Sequence, residues 1–229
     1  KSVFCYRDIS KLSDSEINEI SIHDQIDIVV DLMGYTKGNR MSVLSKRIAP
    51  IQVHYSGPTT GSNEIDFLLA DKVVLPEKYL KYYTEKIVNL PNFLCFDNKT
   101  KVSTRVFKRE EFDLLNDFIV LAAFHRNIKI SIKEINSWSL ILNEVSNSII
   151  WISDTNAIAK NNIINSFEER GVERERVIFA PKMDNYEDHL SRHSCADLFI
   201  DTFNWNANST AIESLWAGLP LVTLKGKSI

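Results

Sequence analysis

Short apolar runs rich in branched residues recur along the chain, and between them lie longer stretches in which hydrophobic positions return at helical spacing. Runs without polar alternation are what buried parallel strands require, because both faces of such a strand meet helices. The pattern predicts strands over Ile26–Leu32, Ile51–Tyr55, Ile65–Ala70 and Lys86–Leu90, a helical stretch from Asn39 to Arg47, and a helix opened by Pro76 and reaching Tyr83. From Asn92 to Arg109 periodicity fades and charge rises, which places a linker or domain crossing there. A second series follows, with strands Phe118–Phe124, Ser148–Ser153, Val177–Ala180, Asp197–Ile200 and Leu221–Leu224. Its helices are Ile132–Val145, Asn156–Arg170, Tyr186–Ser194 and Thr210–Ala217. Gly171 is a natural helix C-cap, and Gly218-Leu-Pro220 punctuates the last helix. Repeated β-α-β units predict an α/β fold of parallel sheet covered by helices.

The segment Asp201–Pro220 organises the second series as strand end, polar loop and helix. Asn206, Asn208, Ser209 and Thr210 gather amides, hydroxyls and free backbone N–H groups at a helix N-terminus. The positive end of the helix dipole suits a phosphate or diphosphate there, and loops beyond the carboxyl ends of α/β strands are where such sheets bind ligands. An ordinary explanation also fits: Thr210 and Glu213 have the spacing of a capping box, which would only satisfy the helix's own N–H groups. Phe124–Lys129 occupies the matching position after the first strand of the series. Lys129 is a mobile cation suited to a phosphate oxygen, and His125 and Arg126 thicken the charge around it, although a solvated surface lysine is commonplace. His189, Arg192 and His193 fall at i, i+3 and i+4, one helix face that could grip a diphosphate or stack on a base. A solvent-facing polar stripe is the plain alternative. The two histidines have a metal-binding spacing, yet Leu190 stands where a zinc-protease motif needs glutamate and no cysteine pair supplies further ligands, so no metal is expected.

Composition removes several function classes. The 229 residues hold 44% hydrophobic and 25% charged residues, with 27 Lys plus Arg against 30 Asp plus Glu and a net charge of −3. That balance offers no nucleic-acid or polybasic membrane surface. Cys5, Cys95 and Cys195 are odd in number and far apart, which fits a reducing compartment, and neither a membrane span nor a signal peptide is visible; a cytoplasmic location is expected. Gly226-Lys-Ser228 has the tail of a P-loop, but Leu221 occupies its first glycine position, and neither GxGxxG nor GxSxG occurs. The chain opens on Lys1 and stops after an apolar run, and it reads as a piece of a longer protein.

Asp31–Arg40, Ala49–Val53, Phe124–Lys129, His189 and Asp201–Pro220, in this order, resemble the catalytic region of glycosyltransferase family 41, which contains the O-linked N-acetylglucosamine transferases. The resemblance implies a GT-B architecture of two Rossmann-like lobes: residues 1–105 as the C-terminal part of the first, and 106–229 as most of the second, nucleotide-sugar-binding lobe. It implies that Lys129 contacts the diphosphate and stabilises the leaving group, that His189 and Arg192 contact the nucleotide, that Ser209 and Thr210 bind the diphosphate, and that Glu213 bonds the ribose. Asp24 matches a residue proposed to assist the acceptor hydroxyl, though a strand-edge aspartate is its plain reading. His125, Arg126, Asn206 and Asn208 complete the candidate site. The implied activity is inverting transfer of a sugar, N-acetylglucosamine from UDP-GlcNAc, to Ser/Thr hydroxyls of proteins, with no cofactor beyond the donor and with acceptors recognised through N-terminal repeats outside this chain. Asn208 stands where histidine is common, Ala207 where glycine is usual, Glu213 is one methylene longer than the usual aspartate, and the loop before His189 is one residue longer. These departures leave the donor sugar open. A UDP-sugar 2-epimerase-like enzyme and a non-catalytic nucleotide-sugar-binding module are the alternatives.

Overall fold

The computed structural model describes residues 4–55, 57–92 and 97–226, so Ser56, Cys95 and the end of Gly226-Lys-Ser228 lie outside the described residues. Two compact units make up the chain, Lys1–Cys95 and Phe96–Lys227.

The first unit runs α1 (Asp14–His23), β1 (Ile28–Asp31), α2 (Met41–Leu44), β2 (Ile51–Tyr55), β3 (Phe67–Ala70), a 3₁₀ turn over Glu77–Tyr82, and β4 (Lys86–Asn89). Its four strands are parallel in the order β1-β2-β3-β4. Helix α1 is absent from the hydrophobic pattern, because only Ile17 and Ser21 of it are buried. It is held instead by a capping box in which Ser13 N–H donates to Glu16 Oε2 at 2.7 Å and Glu16 N–H to Ser13 Oγ at 3.3 Å. The helix expected over Asn39–Arg47 shrinks to four residues, since Arg47 adopts φ +55° and sends its guanidinium to Pro50 O and the Asp66 carboxylate. The segment after Pro76 tightens to 3₁₀ geometry rather than a full α-helix.

The second unit contains β5 (Ile119–Ala123), α3 (Ile132–Glu144), β6 (Ser148–Ser153), α4 (Ala157–Glu168), β7 (Val177–Ala180), α5 (Tyr186–Ser191), a 3₁₀ turn over Arg192–Cys195, β8 (Leu198–Ile200), α6 (Ser209–Trp216) and β9 (Leu221–Val222). The parallel order is β7-β6-β5-β8-β9. Alternate residues of each strand feed two core layers. Val120, Ala122, Ile149, Trp151 and Phe199 pack with Phe107 and Phe112 on one face. Leu121, Ala123, Ile150, Ile152 and Ile200 pack with Trp138, Leu142 and Phe167 on the other. Gly171 and Gly218 end α4 and α6 in the left-handed region, at φ +79° and +86°. Val172 N–H reaches back to Phe167 O and Leu219 N–H to Ser214 O, the six-residue closure of a Schellman motif.

From β5 the chain winds outward through β6 to β7, then returns to lay β8 along the other side of β5. The strand order reverses between β5 and β8, and the carboxyl ends of the strands at such a switch point are where open α/β sheets bind ligands. The loops after these two strands are 124–131 and 201–208.

Candidate functional site

At the switch point, His125 closes the end of β5. It is 3% exposed, its Nε2 lies 2.9 Å from Ile200 O, and its ring meets Phe199 edge-on. Burial pushes its pKa down, partly offset by the bond to the Ile200 carbonyl. The imidazole therefore ties β5 to β8, leaving the following residues to face outward. Arg126 is exposed, whereas Lys129 is half-buried and donates from Nζ to Asn206 O at 3.2 Å, with Trp205 5.6 Å from the ammonium. Burial pushes the Lys129 pKa down, partly offset by the Asp201 carboxylate.

The opposite loop is shaped by Asp201, which sequence reading treats only as a strand end. Its buried carboxylate accepts Thr202 N–H and Ala207 N–H, each at 2.7 Å, on Oδ1, and Thr223 Oγ1 at 2.7 Å on Oδ2. Asn206 also turns inward: its amide donates to Thr202 O and Thr223 Oγ1, both at 2.9 Å. What Asn206 presents to Lys129 is its backbone carbonyl, so its side chain acts on the loop. Glu134, fully buried at the start of α3, accepts Phe203 N–H at 2.8 Å and braces the loop from behind.

Helix α6 starts at Ser209, with Asn208 as N-cap at φ −110°, ψ −91° and no side-chain cap bond. The capping box allowed by Thr210 and Glu213 does not form. Thr210 sits inside the helix, and the Glu213 carboxylate turns away from its own N-terminus toward Tyr186 and His189. The first turn thus keeps its dipole directed into the loop, flanked by an exposed Ser209 and a half-buried Thr210.

Glu213 also borders a cleft of about 470 Å³ with Ala180, Pro181, Tyr186, His189 and Arg192 among its walls. Tyr186 OH donates to Glu213 Oε1 at 3.0 Å, and His189 Nε2 stands 3.7 Å from Oε2. Burial pushes the Glu213 pKa up, but the bonds from His189 and Tyr186 outweigh it and hold the carboxyl below the usual range. The Tyr186 hydroxyl is pushed up to about 12 by burial and by that carboxylate. The solvent-facing stripe considered for His189, Arg192 and His193 is overturned, because α5 ends at Ser191 and the next residues tighten into a 3₁₀ turn that buries Arg192 and His193. The Arg192 guanidinium lies over the Phe124 ring at 4.8 Å and donates to Pro181 O, while its Nε has no partner among the described residues. Burial lowers its pKa to about 10, so it remains a cation at neutral pH. His193 is pushed down to about 4, chiefly by burial, and is a neutral core residue whose Nδ1 lies 2.9 Å from His189 O.

Asp24 belongs to the first unit, as the C-cap residue of α1. Its oxygens take both arms of Arg7, at 2.6 and 2.7 Å, and Oδ1 lies 3.0 Å from His23 Nδ1. The bond from Arg7 holds its pKa below the usual carboxylate range. Among the described residues no group of three or more His, Cys, Asp or Glu side chains is gathered to hold a metal ion, and no helix is long and apolar enough to cross a membrane.

The sequence matches the model of the family described as "Glycosyl transferase family 41" over residues 5–102 and 94–229. It is 33% identical over 227 residues to the Arabidopsis thaliana protein described as "Probable UDP-N-acetylglucosamine--peptide N-acetylglucosaminyltransferase SEC", covering 96% of this chain and 23% of that protein. It is 30% identical to the SPINDLY protein of Oryza sativa subsp. japonica, described in the same terms, over 96% of this chain and 24% of that one. Among solved structures, a mutant of the O-GlcNAc transferase of Thermobaculum terrenum superposes with a TM-score of 0.82 at 27% identity, covering 97% of this chain and 42% of its own. The chain thus spans about a quarter of the length of the curated relatives it matches. Its two parallel-sheet units have the α/β folds of a GT-B glycosyltransferase, and the chain belongs to glycosyltransferase family 41.

Proposed function

We propose that the second unit holds the donor of an inverting glycosyltransferase, which moves N-acetylglucosamine from UDP-GlcNAc to Ser/Thr hydroxyls of proteins. The observation that carries this reading is the layout of α6. Its uncapped N-terminus opens beside the Lys129 loop, and Glu213, four residues or about 6 Å further along the axis, borders the cleft between Tyr186, His189 and Arg192. Diphosphate, ribose and base of a nucleoside diphosphate follow one another in that sequence.

In this reading Ser209 and Thr210 supply hydroxyls, and the α6 dipole a positive field, to the diphosphate. Lys129 neutralises the negative charge that develops on the leaving phosphate as the glycosidic bond breaks, a fixed cation where charge appears. This division of labour requires no metal. Glu213, an ionised acceptor, takes the ribose hydroxyls, and His189 and Arg192 lie toward the base. Arg126 and Asn208 flank the phosphate path from the surface. His125 and Asn206 act by holding the two loops. Residues 1–105 form the C-terminal part of the first lobe and 106–229 the donor lobe, with Asp24 of the first lobe as a residue that assists the acceptor hydroxyl. Acceptors are recognised through repeats N-terminal to these residues, and the protein works in the cytoplasm.

Mass spectrometry of an acceptor protein incubated with the full-length enzyme and UDP-GlcNAc tests the reading. A Ser/Thr-linked N-acetylhexosamine adduct that requires the donor supports it. Hydrolysis or epimerisation of UDP-GlcNAc without transfer contradicts it.

A further inference from the structure

We propose that Tyr186 is a positioning residue, which sets the nucleotide selectivity of the cleft by holding the Glu213 carboxylate in the orientation that reads a ribose. The proposal rests on the assignment of Glu213 as ribose acceptor and adds the group that makes the acceptor selective.

Glutamate carries its carboxylate at the end of three rotatable bonds. A free carboxylate there loses rotamer freedom when it binds, and that cost erodes selectivity. Here the freedom is already removed. Tyr186 OH bonds Oε1 at 3.0 Å, and His189 Nε2 faces Oε2 at 3.7 Å, so the two oxygens have different neighbours. A carboxylate has about four lone-pair directions, and one neighbour at each oxygen leaves others for the two vicinal hydroxyls of a ribose. Tyr186 is itself fixed. Its ring stacks on His189, with centroids 6.3 Å apart and planes at 27°. Its backbone opens α5, where the Asn185 side chain accepts Glu187 N–H at 2.8 Å. At 47% exposure its ring also forms part of the cleft wall rather than the core, so its hydroxyl can be removed without opening a cavity.

The test is calorimetric titration of the full-length protein with UDP and with 2′-deoxy-UDP, comparing wild type, Tyr186→Phe and Glu213→Gln. Phenylalanine keeps the stacked ring and deletes only the hydroxyl. The wild type is expected to prefer UDP by about tenfold, the scale of one well-made hydrogen bond to a charged group. Tyr186→Phe is expected to weaken UDP about fivefold and leave the deoxy ligand within about twofold, which collapses the preference. An unchanged preference in Tyr186→Phe overturns the proposal and leaves Tyr186 as a packing residue. Tighter UDP binding by Tyr186→Phe overturns it too, because the hydroxyl would then compete with the ribose. The underlying reading fails separately, and the proposal with it, if Glu213→Gln keeps the full preference or if the wild type does not distinguish the two ligands.

Discussion

Replacing Lys129 by alanine lowers the rate of sugar transfer by a factor of about 10² to 10³ and leaves the fold intact. The size follows from where the ammonium sits. It lies on the loop after β5, half-buried, and donates to a backbone carbonyl of the opposite loop, Asn206 O, at 3.2 Å. Burial leaves the ammonium poorly solvated and pushes its pKa down, so negative charge developing beside it on the leaving phosphate is stabilised more strongly than in water. An interaction that strengthens toward the transition state is lost mainly from kcat. Loss of one hydrogen bond on a half-buried side chain costs only about 1 kcal/mol of stability, so the melting curve should move little. Steady-state kinetics of the full-length variant, with UDP-GlcNAc and an acceptor protein, measures the effect. Transfer within threefold of wild type would remove Lys129 from the chemistry.

Asp201→Ala is the change expected to damage the molecule most. The carboxylate is 5% exposed and accepts from Thr202 N–H, Ala207 N–H, Thr223 Oγ1 and the Asn206 amide. Deleting it leaves Thr202 N–H and Ala207 N–H without their acceptor and takes one bond each from the exposed Thr223 hydroxyl and from the Asn206 amide, which keeps Thr202 O. Each buried orphan costs about 1–3 kcal/mol, and partial relaxation of the loop brings the total to about 3–4 kcal/mol. A domain of this size has about 5–15 kcal/mol in all, and each kcal/mol moves the midpoint by about 2–4 °C, so the melting temperature should fall by about 10 °C. Binding of UDP should fall with it, because Asn206 loses the partner that orients its carbonyl toward Lys129. Asp201→Asn, which retains one acceptor oxygen, should lose about half as much. Calorimetric melts of the three proteins decide, and a fall below about 2 °C in the alanine variant contradicts the role given to Asp201.

The strands were the most legible part of the chain. Ile51–Tyr55, Ser148–Ser153 and Val177–Ala180 coincide residue for residue with the runs read from the sequence, although the first also buries the polar Gln52 and His54. Helices were legible where they pack on a sheet and end in glycine, as α4 and α6 do. Helix α1 was not, since it buries only two residues, and the Ser13-x-x-Glu16 box that could have found it carries no hydrophobic signal. In the site, the two loops were readable from their place after β5 and β8, but the direction of each side chain was not. Asn206 has the residue type of a ligand contact and spends its amide on Thr202 and Thr223. Arg192 has the type of a surface charge and lies 4% exposed over Phe124. Tyr186 is not legible in the sequence, because an aromatic at a helix start has no signature of its own; its partner Glu213 lies 27 positions away in sequence. Such long-range pairings depend on how crossovers stack, which local periodicity does not encode.

Calorimetric titration of UDP, GDP and ADP into the protein tests the central claim most directly, that the cleft of the second unit is a uridine-nucleotide site. The account predicts one UDP bound per chain, GDP and ADP weaker by about tenfold or more, and UDP affinity reduced in Lys129→Ala. A folded protein that binds all three nucleotides alike, or binds none, would contradict it.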